Sequence, residues 1–518
     1  MARIVVDPVT RIEGHLRVEV EVDGGKVKDA WTTCTLFRGF EIFIKDRPPL
    51  DAWHIAHRIC GVCPTSHGHA ATMGLENSFN VTPPGNAVLI RNLMEAAQQL
   101  HSHVLWFYTL NAFDYVDVLS ALSAQPSTPA LKTVQDRLKA FADSGQLGFL
   151  DGGYWGHPAM KLPPEMNLEL TAHYLQALAI QAKAAQALAV FGGKFPYHMS
   201  TPPGGVTVVP SLQDIENFEF IMKEVTDFVR NVFVPDVLAV APYYIDHATF
   251  GKGVGNFLSW GVLEDVDSRD PYKRALPRGA IFGGQLKVEQ VDPSEVQEYV
   301  SHSWYTHDSG AGKNPGSNNA TTAPQYTKVD TNDKYTWAKT AQIKNKPMEV
   351  GTLARMLIAY LSPNAPYYAT VKSLVDSTLQ ALGSAGKPEI LISALGRIAT
   401  KALESVLIAD KAEADLARLK QNIKDGDNNW FNPKGHDVPD AGAGVGAWEA
   451  PRGALAHWNR IEGGKIASYQ AVPASNWNFS PRNDQGQRGP VEEALVGTPV
   501  ADAAKPLEVL RVIHTFDP

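Results

Sequence analysis

Apolar residues at helical spacing recur through the middle of this chain and predict a fold built around packed helices. Between Asn86 and Tyr108, apolar side chains follow one another at intervals of three or four, at positions 89, 93, 97, 100, 104 and 107. Such spacing places them on one face of an α-helix. The same pattern predicts helices at 131–142, 168–191, 212–233, 350–361, 367–382 and 389–423. The centre of the chain is therefore predicted to be a multihelical core.

The two ends of the chain carry a different pattern, which predicts small β elements. Leu16, Val18 and Val20 alternate with polar residues, and Gly24-Gly25 supplies the turn of a β-hairpin. The predicted fold is mainly α with small β elements, a multihelical core with α+β N- and C-terminal parts that meet at one site. We assign 1–50 to a β-rich N-terminal part, 51–427 to the helical core with irregular insertions at 243–284 and 301–333, and 428–518 to a mixed C-terminal part, all within one interdependent globular unit.

Composition excludes several classes of protein. The formal net charge of -8 and the scattered Lys and Arg residues argue against a nucleic-acid-binding protein. The most apolar stretch, 174–191, contains Lys183 and indicates a core helix, and the N-terminus lacks the apolar run of a secretory signal. Three cysteines are too few for a disulfide scaffold. We interpret Cys34 as a small buried residue, which leaves Cys60 and Cys63 as candidates for chemistry.

The segment RICGVCPTSH at 58–67 carries the clearest chemical signal. Two thiolates in a C-x-x-C pair at the start of a helix can hold one metal ion, and the neighbouring Arg58 would favour their ionised forms. Soft thiolates select zinc, copper(I), iron–sulfur clusters or nickel. A zinc site would need histidines, such as those at 54, 57, 67 or 69, and a thioredoxin-like dithiol would need a βαβ context. The motif alone leaves zinc, redox and other metal chemistry open.

Beyond this pair, the sequence resembles the large, catalytic subunit of nickel–iron hydrogenases of the respiratory uptake type. The resemblance runs along nearly the whole chain, and its segments follow the family's order. They are DPVTRIEGHL (7–16), FRGFE (37–41), RICGVCPTSH (58–67), HSWY (302–305), EVG (349–351), EAPRGAL (449–455), WN (477–478), PR (481–482) and HTFDP (514–518). The resemblance implies the hydrogenase large-subunit fold, in which the two terminal parts meet at the metal site.

The metal ligands follow from this resemblance. In the family, two C-x-x-C pairs hold nickel, and one cysteine of each pair also bridges to an iron that carries carbon monoxide and cyanide. By resemblance, Cys60 is a terminal nickel ligand and Cys63 is a bridging one. The family continues after Asp517-Pro518 with the second pair and a terminal histidine, where a maturation protease cuts the precursor. We expect this protein to have such a further segment, because one pair could not hold the centre.

The resemblance also assigns the residues around the metals. Arg452 would lie above the open position between them, with Pro451 as a rigid neighbour and Asp517 close by, and either Arg452 or a terminal thiolate would act as the base. His67 would hydrogen-bond near the bridging sulfur and tune it. Ser475 would hydrogen-bond a cyanide ligand. Most arginines in such loops are solvated or form structural salt bridges, but the small, rigid residues beside Arg452 favour the functional role.

Glu13 matches the glutamate that carries protons away from a nickel-bound thiolate. Its alternative is a surface carboxylate on a hairpin, although the neighbouring Arg11 and His15 would also fit a buried polar network. Val62 and Leu110 match positions that line the inner end of a gas channel. Without the resemblance, both would be interpreted as ordinary core residues.

A second metal site and three departures complete the comparison with the family. Glu41 and the backbone carbonyl of Ala471 match the ligands of a magnesium-type ion, for which hard oxygen donors are suited. His57 and Ser102 stand where many members have Glu and Asp, and Thr340-Ala341-Gln342 replaces a Pro-Arg pair. These departures indicate a divergent subgroup and concern the polar groups above the metals rather than the metal ligands.

The resemblance implies reversible heterolytic cleavage of dihydrogen, with hydrogen oxidation as the favoured direction. An iron–sulfur cluster normally needs about four cysteine ligands, and only Cys34 lies outside the pair. The clusters are therefore expected on a small subunit, as an obligate heterodimer within a higher oligomer, with an acceptor such as a quinone reached through that partner. The expected location is cytoplasmic or membrane-associated through partners, or else the periplasmic face after export with the small subunit.

Three alternatives remain at this point. The quinone-site subunit of respiratory complex I is similar in fold but lacks the cysteines. A structural zinc protein would use the pair without redox chemistry. An unprocessed precursor or assembly intermediate would have no activity of its own. Metal analysis distinguishes the first two from a hydrogenase, because it would find no metal, zinc alone, or nickel with iron.

Overall fold

A computed structural model describes residues 2–146, 154–318 and 320–518. In these ranges the α-helices are α1 (Phe40–Phe43), α2 (Pro49–Ala56), α3 (Pro64–Phe79), α4 (Gly85–Leu105), α5 (Pro129–Asp143), α6 (Pro164–Gly192), α7 (Leu212–Phe228), α8 (Val234–Val240), α9 (Thr352–Tyr360), α10 (Tyr368–Ala381), α11 (Ala394–Lys424), α12 (Ala474–Asn478), α13 (Pro490–Leu495) and α14 (Leu507–Thr515). The strands are β1 (Ala2–Val6), β2 (Leu16–Asp23), β3 (Lys26–Cys34), β4 (Phe257–Ser259), β5 (Gly279–Ile281), β6 (Val296–Tyr299), β7 (Thr340–Ile343), β8 (Lys346–Pro347), β9 (Glu349–Val350), β10 (Ala441–Ala450), β11 (Gly453–Glu462) and β12 (Lys465–Val472).

Small sheets surround the helices. The described strands form sheets of three, in the orders β1-β2-β3, β5-β4-β9, β6-β7-β8 and β10-β11-β12. The predicted hairpin is β2–β3, whose antiparallel strands are joined at Gly24-Gly25, where both residues have positive φ. The prediction of a mainly helical fold with small β elements agrees with the structure in outline. Two of the described sheets, β5-β4-β9 and β6-β7-β8, lie at 257–350, within the range predicted to hold helices and irregular insertions.

The predicted helices are present, with differences at their ends. The helix predicted at 86–108 is α4, and from Trp106 to Asn111 the chain continues as a π-helix. The helix predicted at 212–233 likewise ends in a π-helical segment, Val229–Phe233. The one predicted at 350–361 begins later, because Glu349–Val350 pairs with β4 as a strand. The π-helical turns at 106–111 and 229–233 keep the direction of their helices, so the apolar spacing alone does not reveal them.

Helix α3, which follows the cysteine pair, lies directly against β10. Strand β10 has the sequence AGAGVGAWEA, and its glycines at 442, 444 and 446 face the helix. A Cβ on Gly446 would lie 1.8 Å from the carbonyl oxygen of Ala70, and one on Gly444 would lie 2.2 Å from that of Gly74. Only glycine permits this approach of backbone to backbone. The contact fixes the start of α3 relative to the end of β10.

The two ends of the chain share a hydrophobic core. Val18 and Val20 of β2 pack in one buried cluster with Val509 and Ile513 of α14. A second and much larger cluster joins α4, α6, α9 and α11. Burying such side chains contributes about 2 kcal/mol each, so neither terminal part is stable apart from the other. Among the described helices, none is long and apolar enough to span a bilayer.

Candidate metal centre

The cysteine pair lies at the N-terminus of α3. After α2, the segment His57–Ile59 forms one turn of 3-10 helix, Cys60 is extended, and Cys63 is the residue before Pro64, which begins α3. Proline suits this first position because it has no N–H to satisfy. The two side chains are buried, at 6% and 3% exposure, and the backbone N–H of Cys63 donates to Sγ of Cys60 over 3.2 Å. The two sulfurs therefore face the same small volume.

The two thiols differ in acidity. The pKa of Cys60 is lowered because the Cys63 side chain donates a hydrogen bond to it and because Arg452 is positively charged. The pKa of Cys63 is raised well above its ordinary value, since its proton is shared with Cys60 and burial disfavours a second charge. The sequence suggested Arg58 as the activating cation, and this was wrong. Arg58 is exposed, donates to the carbonyl of His54 and stacks on Tyr197 instead.

Glu13 joins the cysteine loop to the C-terminal end of the described chain. Its backbone N–H donates to the carbonyl of Pro518 over 3.1 Å, and its carboxylate accepts from the N–H of Gly61 over 3.2 Å. Glu13 and His15 are both exposed in this chain, so the expected buried network with Arg11 is absent from the described residues. Arg11 instead pairs with the buried Asp114 over 2.5 Å. Glu13 therefore lies at the surface, in contact with the cysteine loop.

Arg452 lies in a two-residue turn between β10 and β11, next to Pro451. Its side chain is buried, with 5% exposure, and Nε, Nη1 and Nη2 have no hydrogen-bond partner within the described chain. Its nearest counter-charge is Oδ1 of the buried Asp517, 3.2 Å from Nη2. Burial acts to lower the pKa of Arg452, but Asp517 and the two thiols outweigh it and raise that pKa. Leaving so many donors unsatisfied is costly, which indicates a place for a ligand.

A second buried arginine, Arg355 of α9, holds this turn in place. It donates to both carboxylate oxygens of Glu404, at 2.9 and 2.6 Å, and to Glu449 at 2.8 Å. It also donates to the carbonyls of Ala450 and Pro451, at 2.9 and 3.1 Å. The planar guanidinium of arginine carries several N–H donors in a fixed arrangement, so it can donate to carboxylates and backbone carbonyls at once. The backbone immediately before Arg452 is thus fixed by a side chain that our sequence analysis did not identify.

Helix α11 supplies two further cations to the same region. Arg397 pairs with Glu349 over 2.7 Å and lies 3.8 Å above the ring of Phe516. One turn later, Lys401 pairs with Oδ2 of Asp517 over 2.5 Å. Asp517 therefore lies between two buried cations, Lys401 and Arg452. Sequence analysis missed both α11 residues, although charged residues on the buried face of a helix were a visible signal.

Lys401 leads to a prediction about stability and pH. Burial, with the nearby arginine charges, lowers its pKa to about 8 in spite of Asp517, while the ordinary value is 10.5. Between these values the unfolded chain binds more protons than the folded one, so stability should rise with pH. Relative to Lys401→Met, the wild type should gain about 3 kcal/mol from pH 8 to pH 10.5. Urea unfolding at several pH values measures this difference, and a flat one would contradict the prediction.

His67 belongs to a buried chain of side chains. Its Nδ1 lies 3.0 Å from Nε2 of His457, whose Nδ1 lies 2.6 Å from the hydroxyl of Tyr469. No hydrogen bond from the His67 ring to a sulfur occurs among the described contacts. Ser475 is half-buried in α12, and its hydroxyl makes no hydrogen bond within the described residues. Ser102 is fully buried, and its hydroxyl likewise finds no partner there.

A polar pocket lies beside Glu41. Its carboxylate accepts from the N–H of Ala471 over 2.9 Å and from the hydroxyl of Thr322, and Nζ of Lys339 lies 3.7 Å away. A residue in a strand presents its N–H and C=O to the same side, so the Ala471 carbonyl faces Glu41 as well. The pocket has a volume of about 180 Å³. Among the described residues, no cluster of three or more His, Cys, Asp or Glu side chains is positioned to bind a metal.

The two predicted channel residues both belong to or pack on the large hydrophobic core. Val62 is half-buried and packs on that core, while Leu110, in the π-helical turn, is buried with 6% exposure. The carbonyl of Leu110 accepts from Arg11 over 2.5 Å. Both residues have ordinary apolar packing, so their part in a channel stays a prediction.

Buried soft sulfur donors near a buried arginine whose donors make no hydrogen bond within the described chain are typical of a metal-dependent enzyme, and this chain is of that class. The family model described as nickel-dependent hydrogenase matches residues 38–518, and one described as HoxL-like matches residues 3–35. The chain belongs to the nickel-dependent hydrogenase family, as a large subunit. It is thus an oxidoreductase that acts on dihydrogen, and the predicted family and enzyme class are confirmed.

Relatives and solved structures agree with this assignment. The chain is 41% identical to the uptake hydrogenase large subunit of Rhizobium leguminosarum bv. viciae, over 100% of this chain and 94% of that protein. It is 38% identical to the hydrogenase-2 large chain of Escherichia coli K12, over 100% and 96%. The Ni-Fe-Se hydrogenase of Desulfovibrio vulgaris Hildenborough in the reduced state matches with a TM-score of 0.84 and 33% identity, over 100% and 98%. The hydrogenase large-subunit fold is therefore confirmed.

Proposed function

We propose that this chain is the catalytic subunit of a nickel–iron hydrogenase that cleaves dihydrogen heterolytically, in the direction of hydrogen uptake. The observation that carries the proposal is the buried pair Cys60 and Cys63 within the electrostatic influence of Arg452, whose guanidinium has no hydrogen-bond partner among the described residues. The names of both relatives, an uptake hydrogenase and hydrogenase-2, support the reaction, and the name of the first supports the direction of uptake.

The residues present fit the proposed centre. Two buried sulfurs of unequal acidity suit a terminal and a bridging ligand of soft metals, for which Cys60 and Cys63 are proposed. When bound, nickel and iron with carbon monoxide and cyanide ligands supply a Lewis-acidic pair that polarises dihydrogen. Ser475 is proposed to donate to a cyanide, and its free hydroxyl supports that role.

Arg452, Cys60 and Glu13 are proposed to handle the proton. The guanidinium of Arg452 is held near the sulfurs by the fixed turn at Pro451 and by Asp517, so a fixed cation is placed beside the reacting molecule before it arrives. Its raised pKa keeps it protonated, so the proposed base is the Cys60 thiolate, whose pKa is lowered. Glu13 touches the cysteine loop on one side and is exposed on the other. This position supports its proposed role in carrying protons out.

A magnesium-type ion is proposed for the pocket beside Glu41. The carboxylate of Glu41 and the carbonyl of Ala471 would bind it, and the pocket's volume leaves space for water ligands. The ion would add positive charge beneath the site. The buried Glu298, whose pKa is raised by burial, and Lys339 complete the polar surroundings.

The electron route is proposed to lead to an iron–sulfur small subunit. Gly61, between the two cysteines, is exposed, as are its neighbours Arg58, Arg38 and Leu36. The sulfurs thus lie just below a surface that a partner could cover. We propose an obligate heterodimer on this face, within a higher oligomer, with electrons passed through the partner to an acceptor such as a quinone. A maturation protease is proposed to act on the precursor.

The proposed centre is tested by replacing its ligands. Cys60→Ser and Cys63→Ser, in the mature complex, should each lose nickel and hydrogen oxidation, because a hydroxyl is a poor ligand for soft metals. Cys34→Ser is the matched control and should keep both, since Cys34 lies outside the pair and burial raises the pKa of its thiol to about 11. Elemental analysis and hydrogen uptake measure the outcome. Nickel retained in both variants, or zinc alone in the wild type, would refute the proposal.

A further inference from the structure

Lys401 and Arg452 share the carboxylate of Asp517 unequally. Nζ of Lys401 donates a hydrogen bond to Oδ2 of this carboxylate over 2.5 Å. Nη2 of Arg452 lies 3.2 Å from Oδ1, yet neither Oδ1 nor any nitrogen of this guanidinium has a hydrogen-bond partner within the described chain. All three side chains are buried. The carboxylate is therefore oriented toward the lysine, and its contact with the arginine is an ion pair without a hydrogen bond.

Trp106 holds the lysine from a second side. Nζ of Lys401 lies 4.2 Å from the centroid of the Trp106 ring, a distance typical of a cation–π interaction. The N–H of Trp106 in turn donates to the carbonyl of His514 over 2.7 Å. His514 belongs to α14, the helix that ends two residues before Asp517. The ammonium group is therefore held between an aromatic face and a carboxylate whose positions are linked.

Arg452 depends on this one carboxylate. Among the described residues, Asp517 is the only acidic side chain that forms an ion pair with Arg452. Ser102 stands where many members of the family have Asp, and its fully buried hydroxyl has no partner within the described chain. The orientation of the Asp517 carboxylate therefore determines how much of the guanidinium charge is balanced.

The charge on Lys401 can change within the ordinary working range of pH. Burial and the nearby arginine charges lower its pKa to about 8, in spite of Asp517. The titratable and charged groups around it, on the elements packed against α11 and on α11 itself, are Asp517, Arg452, Arg355, His103, Arg397 and Glu404. Of these, His103 is neutral, because burial lowers its pKa well below the ordinary value. Loss of the lysine proton therefore leaves Arg452 as the cation nearest to Asp517.

We propose that Lys401 is a positioning residue that controls the charge presented by Arg452, through the carboxylate that the two side chains share. The inference rests on the proposed function, in which Arg452 faces the reacting molecule. While Lys401 is protonated, it holds Oδ2 of Asp517 and leaves the N–H groups of the guanidinium free. When Lys401 loses its proton, Asp517 is released to accept hydrogen bonds from Arg452. The guanidinium then turns toward Asp517, and its charge is partly neutralised.

The pH dependence of kcat in the mature complex tests this role. In the wild type, kcat for hydrogen oxidation should fall as the pH rises through about 8. Lys401→Met should have a kcat at least about 10-fold lower below that pH, without the fall. Lys401→Arg, whose cation does not titrate, should keep the wild-type kcat and also lose the fall. Lys411→Met is the matched control and should keep the wild-type profile, because Lys411 is also buried on α11 but pairs with Asp415.

A second measurement needs no activity. Crystal structures of the complex should show no hydrogen bond from Arg452 to Asp517 in the wild type below pH 8, and such a bond in Lys401→Met and in the wild type at higher pH. A guanidinium that stays unbonded in Lys401→Met, or a fall in kcat that persists in both Lys401 variants, would overturn the inference. If the hydrogen bond forms as expected but the wild-type complex does not oxidise hydrogen, the proposed function fails instead.

Discussion

Replacing Arg452 with lysine should lower kcat for hydrogen oxidation about 100- to 1,000-fold, the loss typical of removing one preorganised polar group from a reacting centre. Lysine keeps the charge, but its ammonium is a compact point charge on a flexible stem. The guanidinium is instead held by its turn and by Asp517, 3.2 Å from Nη2. Since a lysine would lose this placement, the reacting molecule would no longer meet a fixed planar cation.

The measurement compares kcat, KM and nickel content in the mature complex. Nickel content should be unchanged in Arg452→Lys, because Arg452 is not proposed as a ligand. Arg274→Lys is a matched control, since Arg274 is also buried, with 3% exposure, and pairs with Glu264 away from the cysteines. The control should keep kcat. A loss of less than about threefold in Arg452→Lys would contradict its proposed place beside the reacting molecule.

Replacing Arg355 with methionine should lower the free energy of unfolding by about 3–5 kcal/mol, as expected when one partner of a buried ion pair is removed. Both Glu404 and Glu449 would be left without their cation, and the carbonyls of Ala450 and Pro451 without their donor. Burial raises the pKa of Glu449 to about 7 even beside Arg355. Without the arginine, this carboxylate would take up a proton or open the site to water.

Urea unfolding of the wild type and the variant tests this second expectation. Lys132→Met is the control, because Lys132 and Asp136 form an exposed pair one helical turn apart, at 55% and 59% exposure. Its loss should be about 0.5 kcal/mol or less. Adding Glu449→Gln to Arg355→Met should restore part of the stability by removing one buried charge. Equal losses in Lys132→Met and Arg355→Met would show that the arginine does not hold the turn.

The sequence predicted the positions of the helices better than the residues at which they begin and end. Regular apolar spacing located α4 and α7, but the π-helical turns that extend them keep the same apolar composition and could not be distinguished. The strand Glu349–Val350 was included in a predicted helix, because its pairing with β4 depends on residues more than 90 positions away. Local patterns contain no information on such pairing.

The centre could be predicted where it depends on motifs, and not where it depends on packing. Cys60, Cys63 and Arg452 stand in segments that resemble the family, so their roles were proposed from sequence. Arg355 and Lys401 have no motif of their own, and only the fold brings them to the turn and to Asp517. The sequence left Glu13 open between a surface carboxylate and a member of a buried network, because its exposure depends on how the loop before β2 lies over the chain's other end.

The close contact between α3 and β10 has a consequence for how the reacting groups are spaced. The helix begins just after Cys63, and the strand leads into the turn of Arg452. The glycines at 444 and 446 let the backbones of α3 and β10 touch. The distance between the sulfurs and the guanidinium therefore depends on this backbone contact rather than on the size of packed side chains. Core side chains elsewhere can therefore vary in volume while the distance between sulfur and guanidinium stays the same.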